Sequence, residues 1–223
     1  MNHALETGFN AFARTLPGSV GVAIASLHEG PLSFGEWSTG VAWSTSKVPL
    51  AVAAAAPDNA DLILKAITDS DNAAAEQLWS QLGDDAAELV QNVIRRAGDS
   101  TTVVESRRLR AEYTPFGQTR WALADQARFA AGLSRVPEAS LVVDLMRKLT
   151  EEHRWGLAAK GFAAKGGWGP GLSGDYLVRQ FAIVSRTVGV AIAAQVDAGG
   201  YETGVDVVNT LTDWVVDQAL AQY

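Results

Sequence analysis

A chain of 223 residues is long enough for one large domain, or two interleaved lobes, around a substantial core. With 48% apolar and 19% charged residues it is not a disordered chain, and a net charge of −7 with no basic cluster excludes a nucleic-acid surface. Cysteine is absent, which removes disulfides, thiol catalysis and thiolate metal sites together.

His3, His28 and His153 are too scattered for metal-ligand spacing and read as surface or internally satisfied residues. Arg107-Arg108 with Arg110 is the densest run of cations and reads as solvated loop. The first residues, Met1 to Glu6, lack the basic segment and apolar run of an export signal, and no stretch approaches a membrane span.

In chain order, Leu5, Phe9, Phe12 and Leu16 recur at helical spacing, so residues 3–16 are expected to be a helix closed by Pro17-Gly18. Val20–Leu27 and Leu32–Trp37 then read as two strands around the turn Glu29-Gly30-Pro31. From Ser44 to about His153 the chain is alanine-rich, with helices expected over 44–56, 59–68, 72–82, 84–97, 120–133 and 137–152. Gly98 to Gln118 interrupts them as a long surface loop of the kind that borders functional sites. Gly161–Trp168, Tyr176–Ser185 and Val188–Val196 are β-rich, and a helix near 203–220 closes the chain with its apolar positions on one stripe.

This order implies an α+β fold in which five strands from both ends of the chain form one antiparallel sheet covered by the terminal helices. Residues 1–43 with 160–223 make that discontinuous lobe, and residues 44–159 make a reduced all-helical lobe with a cleft between the two.

Three short motifs carry chemistry. Ser44-Thr45-Ser46-Lys47 opens a helix, and positions three apart share a helical face, so the Lys47 amine can reach the Ser44 hydroxyl. A serine needs such a base to act as a nucleophile, and lysine serves only where burial or neighbouring charge lowers its pKa. In Ser70-Asp71-Asn72, the serine can pass a proton to a leaving group, and the asparagine amide can hold a substrate carbonyl and Lys47. Lys165-Gly166-Gly167 lies on a strand, where small residues let a substrate backbone lie close and Lys165 supplies positive charge. Backbone N–H groups of Ser44 and Trp168 would form an oxyanion hole, whose donors are each worth about 3 kcal/mol.

With these motifs in this order, the chain resembles the serine β-lactamase and penicillin-binding protein superfamily, class A β-lactamases most of all. The segment Ala66 to Ala75, the strand Val20–Leu27 and the stretch Phe162–Lys165 are similar to family counterparts, and the resemblance spans nearly the whole chain. It implies the β-lactamase-like fold, a serine acyl hydrolase with an acyl-enzyme on Ser44, and a substrate that is a small molecule or peptide. No Gly-rich phosphate loop follows a strand and the histidines lack ligand spacing, so neither cofactor nor metal is expected, and the chain is expected to be a monomer. An extracytoplasmic location follows where an export signal has been trimmed, and a cytoplasmic one otherwise.

Three departures stand out. The interval from Ser44 to Ser70 is shorter than in class A enzymes, which predicts a trimmed helical lobe and an open cleft. Gly166 stands where the family carries a hydroxyl that helps bind a carboxylate, and Arg179 on the next strand is either a substitute or a packing residue. The family's loop glutamate has two counterparts, Glu105 and Glu112; Glu105 lies at the family distance but lacks the accompanying asparagine pattern, and both are candidate partners for the loop arginines. Trp121, Trp155 and Trp168 are candidate cleft or core residues. The alternative function is a catalytically degenerate member of the same fold that senses or holds a ligand.

Overall fold

The computed structural model describes residues 2–220. The opening helix α1 (Asn2–Ala13) ends a turn before Leu16, because the carbonyls of Phe12 and Ala13 are capped by the N–H groups of Thr15 and Leu16. Five strands follow from the two ends of the chain: β1 (Ser19–Ser26) and β2 (Leu32–Gly35) early, then β5 (Ala163–Pro170), β6 (Tyr176–Ile183) and β7 (Val188–Val196). They pair antiparallel throughout in the order β2-β1-β7-β6-β5, so the expected five-stranded sheet is present, with β5 at one edge.

β1 and β7 are continuously buried apolar runs without alternation, as a sheet covered on both faces requires. The closing helix α8 (Gly200–Trp214) packs on β6 and β7. The other face is covered by α6 (Leu123–Leu133), which lies across β7 and β1. The sheet is thus covered not by the terminal helices alone. One of its layers comes from the middle of the chain, with Gly189 of β7 packed directly on the backbone of Ala127 and Ala131.

Between β2 and β5 the chain forms α2 (Lys47–Ala53), α3 (Ala60–Thr68), α4 (Asn72–Leu82), α5 (Ala86–Arg96), α6 and the short α7 (Ser140–Leu145). The helix expected over 44–56 is split. Trp43–Ser46 is a 3₁₀ turn and α2 begins at Lys47, with Pro49 in its first turn, where a missing N–H costs nothing. Residues 120–122, expected as helix, instead form β4 (Arg120–Ala122), which pairs with β3 (Thr39–Val41) in a two-stranded sheet. The helix expected over 137–152 survives only as α7. Beyond it, Thr150 is drawn away to bond the carbonyl of Thr68.

Candidate active site

The turn before α2 presents three hydroxyls in a row and frees one. Thr45 Oγ donates to the Ala42 carbonyl (2.5 Å) and Ser46 Oγ to the Trp43 carbonyl (2.7 Å), so both are spent locally. Ser44 instead lines a cavity of about 610 Å³ between the helices and β5. The turn is tight enough to place Trp43, a bulky residue, at φ +50°, a backbone conformation that persists only where the surroundings impose it.

Lys47, almost wholly buried, reaches the same cavity from the first turn of α2. Its amine donates to the Ser70 carbonyl, to Asn72 Oδ1 (2.7 Å) and, at 3.4 Å, to Ser70 Oγ. Among the described residues no hydrogen bond joins it to the Ser44 hydroxyl. Burial disfavours the ammonium and brings the Lys47 pKa down to about 7, against the opposing pull of the Asp71 carboxylate. Lys165, from β5, donates to Ser70 Oγ (2.8 Å) and to the Gly166 carbonyl (3.1 Å). Its full burial, and then the charge of Lys47, hold its pKa well below the usual lysine range. The Ser70 hydroxyl therefore sits between two amines that are readily neutral.

Ser70 itself is held at φ +53° in the turn joining α3 to α4. Asp71 caps α4 by accepting from the Ala74 N–H (2.7 Å), which explains the aspartate between serine and asparagine. Three successive carbonyls of this turn are each bonded from outside it. That of Thr68 accepts from Thr150, that of Asp69 meets His153 Nε2 (2.9 Å), and that of Ser70 accepts from Lys47.

The glycines of β5 serve a purpose different from the expected one. A Cβ on Gly167 would lie 2.7 Å from the Ala42 carbonyl and 2.9 Å from the Ser44 and Thr45 nitrogens, and one on Gly166 would lie 2.6 Å from the Trp155 indole. The space is taken by the protein's own serine turn and by Trp155, not left bare for a substrate. The Ala164 N–H donates to the Met146 carbonyl, away from β6. By strand alternation the N–H groups of Gly166 and Trp168 point to that same outer side. The N–H of Ser44, in the first turn of a 3₁₀ segment where amides lack internal partners, lies against this strand.

Arg179 is no carboxylate contact. It is fully buried and donates to the carbonyls of Gly40, Val41 and Trp121 and to Gln126 Oε1, tying the small β3–β4 sheet and α6 to β6. Glu105 stands apart from the cavity, its carboxylate engaged by Arg107 (3.1 Å), which lowers its pKa. Glu112 and Glu76 do line the cavity, Glu76 with Arg108 at 2.9 Å. Trp168 lines it too, whereas Trp121 is core with its N–H on Asp99, and Trp155 is buried behind Gly166.

Sequence reasoning missed the aromatic wall of Trp43, Tyr113, Phe116 and Tyr176. Tyr113 is brought in by the folded loop, where Gln118 bonds Arg110, Tyr113 and Thr114 backbone. Arg110 stacks on the Tyr113 ring (4.4 Å) and donates to the Pro170 carbonyl (2.8 Å). Nothing in the local pattern of the loop indicates these long-range partners.

A family model described as "Beta-lactamase enzyme family" matches residues 55–218. The chain belongs to this family. The matched stretch takes in Ser70, Asn72 and Lys165 but begins after Ser44 and Lys47, whose case rests on the resemblance and on the geometry above. Among solved structures, the chain is similar to TLA-3 extended-spectrum β-lactamase (12% identity, TM-score 0.76, covering 97% of this chain and 98% of that one). It is also similar to a β-lactamase from Desulfarculus baarsii DSM 2075 (19%, 0.67, 96% and 98%) and to an ancestral class A β-lactamase (17%, 0.71, 96% and 99%). At these identities the likeness shows the β-lactamase fold alone. No curated protein sequence matches the chain.

Proposed function

We propose that this β-lactamase family member is a serine acyl hydrolase that forms an acyl-enzyme on Ser44 with an ester, amide or β-lactam. The observation that carries the reading is the Ser70 hydroxyl held 3.4 Å from the Lys47 amine and 2.8 Å from that of Lys165, on the cavity onto which Ser44 opens.

Neutral Lys47 takes the Ser44 proton as Oγ attacks the substrate carbonyl carbon, and the oxyanion is met by the outward N–H of Trp168 and that of Ser44. As the bond to the leaving nitrogen or oxygen breaks, Ser70 Oγ gives that atom its proton and is replenished from the Lys47 ammonium, so the proton count closes. Asn72 fixes Lys47 through Oδ1 and keeps its amide N–H groups for a substrate carbonyl. Water must then hydrolyse the acyl-enzyme. Glu105 is tied to Arg107 outside the cavity. Among the described residues Glu76 and Glu112, which line it, make no hydrogen bond to Ser44, Lys47 or Ser70, which favours a long-lived acyl-enzyme.

Intact-mass measurement with a reporter penicillin and an activated ester, on wild type and Ser44→Ala, tests this. The expected result is a slowly lost adduct on wild type alone. Absence of any adduct, together with ester hydrolysis unchanged by Ser44→Ala, removes the enzyme reading and leaves that of a ligand-holding cleft.

A further inference from the structure

The segment after α7 carries a residue that neither the motifs nor the reaction above employ. His153 Nε2 lies 2.9 Å from the Asp69 carbonyl, in the turn that displays Ser70. Its ring packs 5.2 Å from the indole of Trp168, the β5 residue whose N–H points to the cavity side. One imidazole therefore bridges the two walls of the cleft. The carbonyl can only accept, so Nε2 carries the hydrogen and Nδ1 is left unprotonated in the neutral ring. Nδ1 is buried without a hydrogen-bond partner.

We infer that His153 is a positioning residue that, in its neutral form, locks the Ser70 turn onto β5 and keeps the surroundings of Lys165 free of a further positive charge. This rests on the serine-hydrolase reading and deepens it.

The geometry gives two reasons. First, the His153 side chain both meets the Asp69 carbonyl and packs on Trp168 of β5, so together with the Lys165–Ser70 bond it holds the separation of the two walls. Second, a proton gained at Nδ1 would place a buried positive charge within the field of Lys165. Burial, the largest influence, lowers the His153 pKa; the bond to the Asp69 carbonyl opposes this, Lys165 on β5 adds to the lowering, and Glu152 in the same turn works against it. A protonated ring would raise the cost of any positive charge on Lys165 or Lys47, and proton return through Ser70 needs such a charge transiently.

The test compares His153→Gln, whose amide N–H can replace Nε2–H without titrating, with His153→Phe, which keeps a ring against Trp168 but no donor. Ester hydrolysis by the His153→Phe protein should show kcat reduced about tenfold with KM nearly unchanged, the size of one lost hydrogen bond that acts through geometry. The His153→Gln protein should recover most of that kcat and should lose the steepest part of the wild-type acid limb.

A readout independent of turnover uses the histidine C2–H resonances. The one that disappears in His153→Gln should titrate below the ordinary histidine value in wild type and move upward in Lys165→Met. Wild-type kcat and pH profile in His153→Phe, or a His153 titration indifferent to Lys165→Met, overturns the inference. Ser44-independent hydrolysis would overturn the enzyme reading instead, and the resonance measurement would still decide the His153–Lys165 coupling.

Discussion

The backbone nitrogen of Ser44 lies 2.9 Å from where a Cβ on Gly167 would stand. The edge strand and the serine turn are thus in direct backbone contact, an approach that one missing methyl group allows and that the proposed pairing of the Ser44 and Trp168 N–H groups on an oxyanion requires.

Gly167→Ala should therefore damage the site more than an exposed glycine replacement would. The new methyl meets backbone atoms of Ala42, Ser44 and Thr45, which cannot rotate away as a side chain can. A loss of about 1–3 kcal/mol in urea unfolding is expected from such overpacking, with acylation of Ser44 slowed further by separation of the two N–H donors. Unchanged stability and acylation would show that β5 can retreat freely.

Acylation should rise as pH is raised through about 7, where Lys47 loses its proton. The stability effect has the same direction. Between about 7 and the ordinary 10.5 the unfolded chain keeps a proton that folded Lys47 lacks, so the folded state gains on the unfolded one as pH increases across this window. Urea midpoints of wild type, measured against Lys47→Met from pH 7 to 9.5, should move in favour of wild type, and activity should be lost in the variant throughout.

Asp71 performs two tasks that Asp71→Asn separates. The asparagine oxygen retains the cap on the Ala74 N–H, so stability should change little, whereas Asp71→Ala should cost about 1 kcal/mol. The negative charge that raises the Lys47 pKa disappears in both. The acid limb of ester hydrolysis should move to lower pH in the asparagine variant; a limb that stays put would assign it to another group.

Arg179 is a structural cation. Truncating it to alanine strands the carbonyls of Gly40, Val41 and Trp121 and the Gln126 amide oxygen in the core. A destabilisation of about 3–5 kcal/mol is expected, and lysine should not restore it because an ammonium cannot reproduce the planar fork. Should Arg179→Lys fold as wild type, the multidentate role fails.

Much of this molecule was legible in the residues themselves. The apolar runs of β1 and β7, the helix patterns of α3 to α5 and the chain order of strands and helices were enough for the five-stranded sheet, because burial of regular elements leaves a periodic trace. The three motifs are each ordinary alone and carry the resemblance only in their order. Of the meeting that order implies, the fold brings Ser70 between the two lysines and Asn72 onto Lys47, while among the described residues no bond joins Lys47 to the Ser44 hydroxyl.

What only tertiary structure decided are matters of long-range contact. Arg120–Ala122 became a strand because Thr39–Val41 offers it a partner, and α6 became a layer of the sheet through contacts its own sequence does not record. Gly166 and Gly167 face Trp155 and the serine turn, Arg179 faces carbonyls, and Glu105 faces Arg107, none of which local pattern can express. The lowered Lys47 pKa and the place of His153 follow the same rule. A side chain's chemistry depends on what burial and neighbours the whole fold puts around it.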